Sequence, residues 1–124
     1  MGENVRKGKP MRFPEAGWSS WHSYDRKITE KTFLSSADFI NTNLKEFGWK
    51  TIQIDGGWWT EPGLYSVDDV TFPNGIRYLS DYVNKLGLDF GLHVSPLRTN
   101  PKDPITSKHP DWILKPLNNK KIAK

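Results

Sequence analysis

The sequence contains no cysteine among its 124 residues. Without thiols, the chain can form neither a disulfide framework nor a thiolate nucleophile. No apolar run approaches the roughly 20 residues that a membrane-spanning helix needs. The basic N-terminus is also not followed by an apolar segment of the kind that forms a secretory signal. We therefore predict a protein without a membrane partner and with a cytoplasmic location.

Several motifs that carry chemistry are also missing. The sequence has no glycine-rich phosphate-binding loop and no nucleophile elbow of the Gly-x-Ser-x-Gly type. Its three histidines, His22, His93 and His109, do not have the spacing of metal ligands. We therefore predict neither a cofactor nor a bound metal ion.

The net charge of +4 is distributed unevenly. Residues 1–12 carry four basic side chains against one acid and residues 115–124 carry four lysines, whereas residues 13–114 hold 10 basic and 13 acidic side chains. A nucleic-acid-binding protein carries its basic charge on the folded part, so we predict no nucleic-acid partner. The predicted organisation is a disordered lead-in at 1–12, one domain at 13–115 and a disordered tail at 116–124.

The most informative stretch runs from residue 49 to residue 59, where a short strand leads into two glycines and two tryptophans. Alternate side chains of a strand point to opposite faces, so Ile52 and Ile54 share one face and a polar face ends at Asp55. A polar face suits a barrel strand that runs into a polar site. A carboxylate beside aromatic rings is what a sugar site needs, because the acid accepts hydrogen bonds from hydroxyls and the rings cover C–H faces.

Two amphipathic helices and two further strands surround this stretch. Thr29 is the predicted N-cap of the first helix, whose apolar positions run from Phe33 to Phe47 and which ends at Gly48. The second helix runs from about residue 76 to Gly87. The other predicted elements are a strand at about 15–18, a loop to about 28, a strand at about 89–94, a short helix at about 105–108 and an extended piece at 112–114. Right-handed crossovers make the strands of such a repeat parallel.

Together these pieces resemble the N-terminal part of the catalytic barrel of α-galactosidase-type glycoside hydrolases, families 27 and 36, with family 36 the closer. The resemblance covers about residues 13–115 and is carried by Gly17-Trp18-Ser19-Ser20-Trp21, Ile28-Thr29-Glu30, Ile52-Gln53-Ile54-Asp55-Gly56-Gly57-Trp58, Phe72-Pro73-Asn74-Gly75, Gly87-Leu88-Asp89-Phe90-Gly91-Leu92, Ser95-Pro96 and His109-Pro110-Asp111-Trp112. It implies an α/β fold, a partial (β/α)₈ TIM barrel of about the first three βα units with parallel strands.

The resemblance also implies an activity. Members of these families hydrolyse α-galactosides with retention, which uses two carboxylates about 5 Å apart. In the family the nucleophile follows strand four and the acid/base follows strand six, whereas the resemblance here ends after strand three. No Asp or Glu of this sequence is therefore predicted to be catalytic, and we expect the chain alone to be inactive.

What the resemblance carries over is part of a sugar pocket. Trp21 corresponds to a tryptophan that lines the galactose site, and Asp55 corresponds to the first of two adjacent aspartates that hold the hydroxyls at positions 4 and 6. The second aspartate is replaced by Gly56, and His93 stands where the family usually places Trp or Tyr. The predicted partner is an oligosaccharide or α-galactoside substrate.

Four residues are predicted to bind this substrate, namely Asp55, Trp21, Trp58 and His93. Three of them also have a plainer interpretation beside the functional one. Asp55 could be a turn aspartate, Trp58 could pack under its loop, and His93 could be a hydrogen-bonded structural histidine.

A second function remains open at this stage. Three parallel strands cannot close a barrel, and the last strand would leave an unpaired edge that invites association. The alternative prediction is a non-catalytic, self-associating βα protein with at most weak carbohydrate binding. In either case we expect a chain that is marginally stable or oligomeric on its own.

Overall fold

The computed structural model describes residues 16–61 and 65–114, so the tails predicted to be disordered lie outside the described residues. Three parallel strands form one sheet in the order β1-β2-β3. They are β1 (Ala16–Ser19), β2 (Trp49–Ile54) and β3 (Asp89–Leu92). The parallel βα repeat is as predicted, with the central strand formed by the stretch that begins at residue 49.

The helices lie in and after the crossovers. They are α1 (Trp21–Tyr24), α2 (Glu30–Asn43), α3 (Gly75–Lys85) and α4 (Pro104–Lys108), with 3₁₀ helices at Asp25–Lys27, Lys45–Phe47 and Pro110–Trp112. Within the described ranges, none of them combines the length and the apolar composition that crossing a membrane requires.

A predicted loop and the first residue of a predicted extended piece are helical instead. The predicted loop before residue 28 contains α1, where Tyr24 N donates to Ser20 O at 2.9 Å and closes a single turn. The piece predicted to be extended at 112–114 begins in a 3₁₀ turn, because Pro110 fixes a helical φ and Trp112 N donates to His109 O at 3.1 Å. A single turn is too short to produce a helical periodicity in the sequence, which is why the pattern did not predict either one.

The beginning of α2 is capped as predicted. Thr32 N donates to Thr29 Oγ1 at 3.3 Å, and Thr29 N donates to Thr32 Oγ1 at 2.9 Å, so the two residues form a capping box. At the other end, Gly48 adopts a left-handed φ of 91° after a 3₁₀ turn. A 3₁₀ turn has fewer residues per turn than an α-helix, so the residues in it do not continue the apolar face of α2. Phe47, which was predicted to lie on that face, is therefore 73% exposed.

We expect Thr29→Ala to lower the free energy of unfolding by about 1 kcal/mol, because Thr32 N loses the side-chain acceptor of the capping box. Urea unfolding followed by circular dichroism measures the change. Thr42→Ala is the matched control, since Thr42 is an exposed residue of the same helix. An equal loss in both variants would show that the capping box does not stabilise α2.

The core lies between one face of the sheet and helices α2 and α3. Its buried members are Ile28, Phe33, Ala37, Ile40, Ile52, Ile54, Trp58, Phe72, Leu79, Val83 and Leu88. Ile52 and Ile54 are fully buried, as the alternation of β2 predicts. The polar residues of β2 therefore face the other side of the sheet, and Asp55 directly follows the strand.

A buried carboxylate ties the beginnings of the two long helices together. Glu30 accepts hydrogen bonds from Asn74 N at 3.0 Å and from Asn74 Nδ2 at 2.6 Å. The Glu30 amide in turn donates to Thr71 O at 2.9 Å. These contacts hold the beginnings of both helices together at the carboxyl-terminal end of the sheet. The candidate site lies at the same end.

Candidate functional site

A cavity of about 430 Å³ opens at the carboxyl ends of the strands, which is within the range of small-molecule sites, about 300–1,000 Å³. Asp55 directly follows β2, His93 directly follows β3, and Trp21 lies two residues after β1. The lining residues are Trp21, Arg26, Asp55, Gly56, Trp59, Tyr65, His93, Ser95, Arg98, Thr99, Asn100 and Pro101. Three of the four predicted substrate-binding residues therefore lie in one cavity.

Asp55 is held by its backbone and keeps one carboxylate oxygen accessible for hydrogen bonding. Its amide donates to Ser20 Oγ at 2.9 Å, and its Oδ1 accepts from Gly56 N at 2.7 Å. Its Oδ2 accepts only long hydrogen bonds, from Ser19 Oγ at 3.4 Å and from Gln53 Nε2 at 3.5 Å. Long bonds of this kind are weak, so Oδ2 can accept a shorter bond from a ligand hydroxyl.

The ring of Trp21 covers Gly56 beside this carboxylate. A Cβ placed on Gly56 would lie 3.0 Å from Cζ3 of Trp21. Trp21 itself is 40% exposed, so its ring borders both the glycine and the opening of the cavity. The ring of Trp21 therefore borders the space that a side chain at position 56 would enter, the position at which the family resemblance implies a second aspartate.

Trp58 lies below the cavity and does not line it. It is 4% exposed, belongs to the core and donates from Nε1 to His93 O at 3.0 Å. Trp59 lines the cavity in its place. The prediction that Trp58 contacts the sugar is therefore not supported by its position. The left-handed φ of 102° at Gly57 redirects the chain, so strand alternation cannot be extended through this turn.

The backbone of His93 is hydrogen-bonded to the sheet, and the residue lines the cavity. Its amide donates to Ile54 O at 2.8 Å, which extends the β2–β3 ladder by one residue beyond Leu92. Its ring lies 6.2 Å from the ring of Trp59, and its Nε2 is 3.5 Å from Ser95 Oγ. The ring can therefore stack on a ligand or exchange a hydrogen bond with one.

Tyr65, which the sequence did not single out, joins the loop after β2 to the segment after β3. Its hydroxyl donates to Ser95 O at 2.8 Å and accepts from Ser95 N at 2.7 Å. Its ring also stacks on Trp58, with the centroids 5.8 Å apart. One side chain thus fixes two walls of the cavity relative to each other.

We expect Tyr65→Phe to lower the free energy of unfolding by about 1–3 kcal/mol, since the amide and carbonyl of Ser95 both lose a partner. Chemical denaturation monitored by tryptophan fluorescence measures the loss. The control is Tyr78→Phe, because Tyr78 is a partly exposed tyrosine of α3 outside the cavity. A Tyr65→Phe variant as stable as this control would contradict the assigned contact.

An ion pair closes the rim between the same two segments. Lys102 Nζ donates to the two carboxylate oxygens of Glu61 at 3.0 and 3.2 Å, and Asn100 Nδ2 donates to Glu61 at 3.3 Å. The hydrogen bond from Lys102 and its positive charge lower the pKa of Glu61 below the ordinary value of 4.5. The pair is exposed to solvent, so its contribution to stability is small.

The lowered pKa of Glu61 gives a pH prediction. Because the pKa of Glu61 is lowered in the folded state, the ion pair contributes to stability at pH values above the ordinary pKa of 4.5. This stabilisation is lost as the pH falls through the folded-state pKa. We expect Lys102→Met to raise the pKa of Glu61 in an NMR titration of its side-chain carboxyl carbon. Lys108→Met is the control. An unchanged Glu61 titration in Lys102→Met would show that the ion pair does not form in solution.

No metal centre is found in the described part of the chain, where no group of three or more His, Asp or Glu side chains is placed to hold an ion. The cavity offers one carboxylate, aromatic rings and cationic side chains. Such a set can bind hydroxyl-bearing rings.

Comparison with known proteins identifies the class to which this fold and site belong. Residues 20–124 match the family described as Melibiase. The probable alpha-galactosidase of Dictyostelium discoideum is 34% identical over 85 residues, which cover 64% of this chain and 22% of that protein. The chain belongs to the Melibiase family, the α-galactosidase-type glycoside hydrolases. It spans about a fifth of the length of the curated relatives that it matches.

Two solved structures confirm the fold. The alpha-galactosidase of Thermus thermophilus in complex with p-nitrophenyl alpha-D-galactopyranoside matches 83% of this chain and 20% of its own, with a TM-score of 0.70 and 30% identity. The GH36 alpha-galactosidase AgaA of Geobacillus stearothermophilus matches 91% of this chain and 16% of its own, with a TM-score of 0.72 and 28% identity. The three strands and their helices are thus part of a (β/α) barrel, as the sequence predicted.

Proposed function

We propose that this chain supplies part of the galactoside-binding wall of an α-galactosidase-type hydrolase. The observation that carries the proposal is the position of Asp55, whose Oδ2 accepts only long bonds and which shares a cavity with Trp21. The related Thermus thermophilus protein has been solved with p-nitrophenyl alpha-D-galactopyranoside. Membership in the Melibiase family favours this function over the non-catalytic alternative.

Each lining residue has a distinct role in the proposed complex. Asp55 Oδ2 accepts hydrogen bonds from sugar hydroxyls. These bonds are stronger than hydrogen bonds between neutral groups because the acceptor is charged. Trp21 and Trp59 cover the apolar C–H faces of the sugar ring. His93 stacks on the ring or exchanges a hydrogen bond with a hydroxyl. Trp58 has no direct role and supports this wall from the core.

Hydrolysis is not assigned to these residues alone. Retaining hydrolysis needs two carboxylates about 5 Å apart, and Asp55 is the single carboxylate among the described residues that line the cavity. We therefore propose that the 124-residue chain binds an α-galactoside without cleaving it.

A titration with p-nitrophenyl α-D-galactopyranoside tests this function. We expect saturable quenching of tryptophan fluorescence, because two indoles border the cavity, and no release of p-nitrophenolate. The corresponding β-D-glucopyranoside controls for binding of the aromatic aglycone. Equal binding of both glycosides would contradict recognition of the galactoside, and cleavage by the purified chain would contradict the absence of a catalytic pair.

We also propose that the chain self-associates through its sheet edges. Within the described ranges, β1 and β3 each pair with β2 alone, and unpaired edges favour association with another chain. Sedimentation velocity over a concentration series is expected to show species larger than the monomer. A monomer at every concentration, combined with one sharp thermal transition, would contradict this proposal.

A further inference from the structure

We propose that the cavity takes an anionic saccharide, a galactose-type sugar that carries a carboxylate or a sulfate ester, and that Arg26 and Arg98 bind the acidic group. The inference rests on the proposed sugar-binding function and specifies the class of substrate for that site. Three observations support the inference: the charge of the lining residues, the backbone contacts that hold both arginines in place, and the single carboxylate of the described lining.

The charge of the lining favours an anion. Its titratable residues are Arg26, Asp55, Tyr65, His93 and Arg98, so two permanent cations and one carboxylate belong to the same lining. Among the residues that the structure describes, neither arginine forms a salt bridge with an acidic side chain. Both arginines are exposed to solvent, and cations that line a cleft without an acidic partner attract anions.

The position of Arg26 is fixed by close contact with Gly57. A Cβ placed on Gly57 would lie 2.7 Å from Arg26 O and 2.8 Å from Arg26 Cα, so the two backbones pack directly against each other. Arg26 belongs to the 3₁₀ helix Asp25–Lys27, which follows β1. The backbone that carries this guanidinium is therefore anchored to the turn that follows Asp55.

The position of Arg98 is fixed by a different contact. Its amide donates to Ser95 O at 2.9 Å, which forms a turn after β3. Ser95 is itself held by the Tyr65 hydroxyl through both its amide and its carbonyl. Anchored backbones of this kind reduce the ordering that binding would otherwise require.

The strand order places Asp55 between the segments that carry the two arginines. Arg26 follows β1, Asp55 follows the central strand β2, and Arg98 follows β3. A sugar whose hydroxyls reach Asp55 can therefore extend an acidic substituent towards either neighbouring loop. The guanidinium group suits this role because its planar fork of donors matches the oxygens of a carboxylate or a sulfate.

The glycine next to Asp55 supports the same ligand. A second aspartate at position 56 would repel an acidic sugar, whereas this chain has Gly56 with the ring of Trp21 over it. With glycine at position 56, Asp55 is the single carboxylate among the described lining residues. A lining with fewer negative charges favours an anionic saccharide over a neutral one.

Calorimetric titration of the 124-residue chain tests the inference with D-galactose, 3-O-carboxymethyl-D-galactose and D-galactose 3-sulfate, whose acidic groups leave the hydroxyls at positions 4 and 6 free to donate to Asp55. We expect at least one acidic sugar to bind about tenfold or more tightly than galactose, because a charge-assisted hydrogen bond is gained. The preference should shrink as salt rises from about 0.01 M to about 1 M, since the Debye length falls from about 30 Å to about 3 Å. The two acidic sugars distinguish a carboxylate from a sulfate ligand.

Variants of the two arginines, together with simple anions, test whether the arginines cause the preference for the acidic sugar. Arg26→Gln and Arg98→Gln should each lose most of the preference for the acidic sugar, and the corresponding lysine variants should restore part of it. Lys27→Gln is the control, because it removes the same charge next to Arg26 from a side chain that does not line the cavity. Acetate and inorganic sulfate test whether an anion without the sugar is sufficient.

The outcomes separate this inference from the proposed function. Galactose binding without a preference for either acidic sugar would overturn the inference and leave the proposed function standing. A preference that persists in both glutamine variants, or acetate and sulfate binding as tightly as the sugars, would also overturn it. The absence of binding by all three sugars would overturn both.

Discussion

Replacing Gly57 with alanine is expected to lower the free energy of unfolding by about 2–5 kcal/mol, from backbone strain together with steric overlap. Gly57 has a left-handed φ of 102°, which a side chain disfavours, and a Cβ there would lie 2.7 Å from Arg26 O. Because the opposing atoms belong to backbone, they cannot move aside as the end of a flexible side chain could. Urea unfolding at equilibrium measures the loss, which is a large fraction of the 5–15 kcal/mol typical of a domain.

Gly48→Ala is the matched control for this variant. Gly48 has a similar φ of 91°, but a Cβ there would meet no heavy atom within 4 Å. The control should therefore show only the strain of the left-handed backbone, about 1–3 kcal/mol. Equal losses in the two variants would show that the contact between Gly57 and Arg26 is not formed in solution.

Replacing Asp55 with asparagine is expected to weaken α-galactoside binding by about 10- to 100-fold, because a hydrogen bond to a charged acceptor is worth about 1.5–3 kcal/mol. The variant keeps the size of the side chain and an oxygen that can accept from Gly56 N, so the turn should remain intact. Titration with methyl α-D-galactopyranoside measures the affinity, and an unchanged circular dichroism spectrum excludes unfolding as the cause.

Asp89→Asn is the control for this second prediction. Asp89 is exposed and begins β3, at the opposite end of the sheet from the cavity. The control should bind the galactoside as tightly as the unmodified chain. Full affinity in Asp55→Asn, or an equal loss in Asp89→Asn, would contradict the assignment of Asp55 as a sugar ligand.

Periodic segments of the fold could be predicted from the sequence because local pattern and tertiary burial agree there. Ile52 and Ile54 alternate in the sequence and are fully buried in β2, and Thr29 caps α2 as its residue type indicates. The single turn of α1 could not be predicted, since its four residues span little more than one helical period and leave no repeat in the sequence. Phe47 was wrongly assigned to the apolar face because a 3₁₀ turn intervenes before Gly48.

The residues of the site could be predicted from the sequence only where they directly follow a strand. Asp55 and His93 follow strands directly, so parallel order alone places them together. Tyr65 could not be predicted, because its contact joins residues 30 positions apart and depends on how two loops meet. The same holds for Arg26, whose position depends on the close approach of Gly57. No local pattern marks either contact.

Asp55 and Trp21 are proposed to form one sugar-binding wall at the carboxyl ends of the strands. A two-dimensional ¹H–¹⁵N NMR titration of the chain with methyl α-D-galactopyranoside tests this proposal most directly. We predict saturable shifts at the Gly56 amide, the His93 amide and the Trp21 indole, with none at Lys50 near the beginning of β2. Shifts confined to the Lys50 end of the sheet, or no shifts at saturating sugar, would contradict the account.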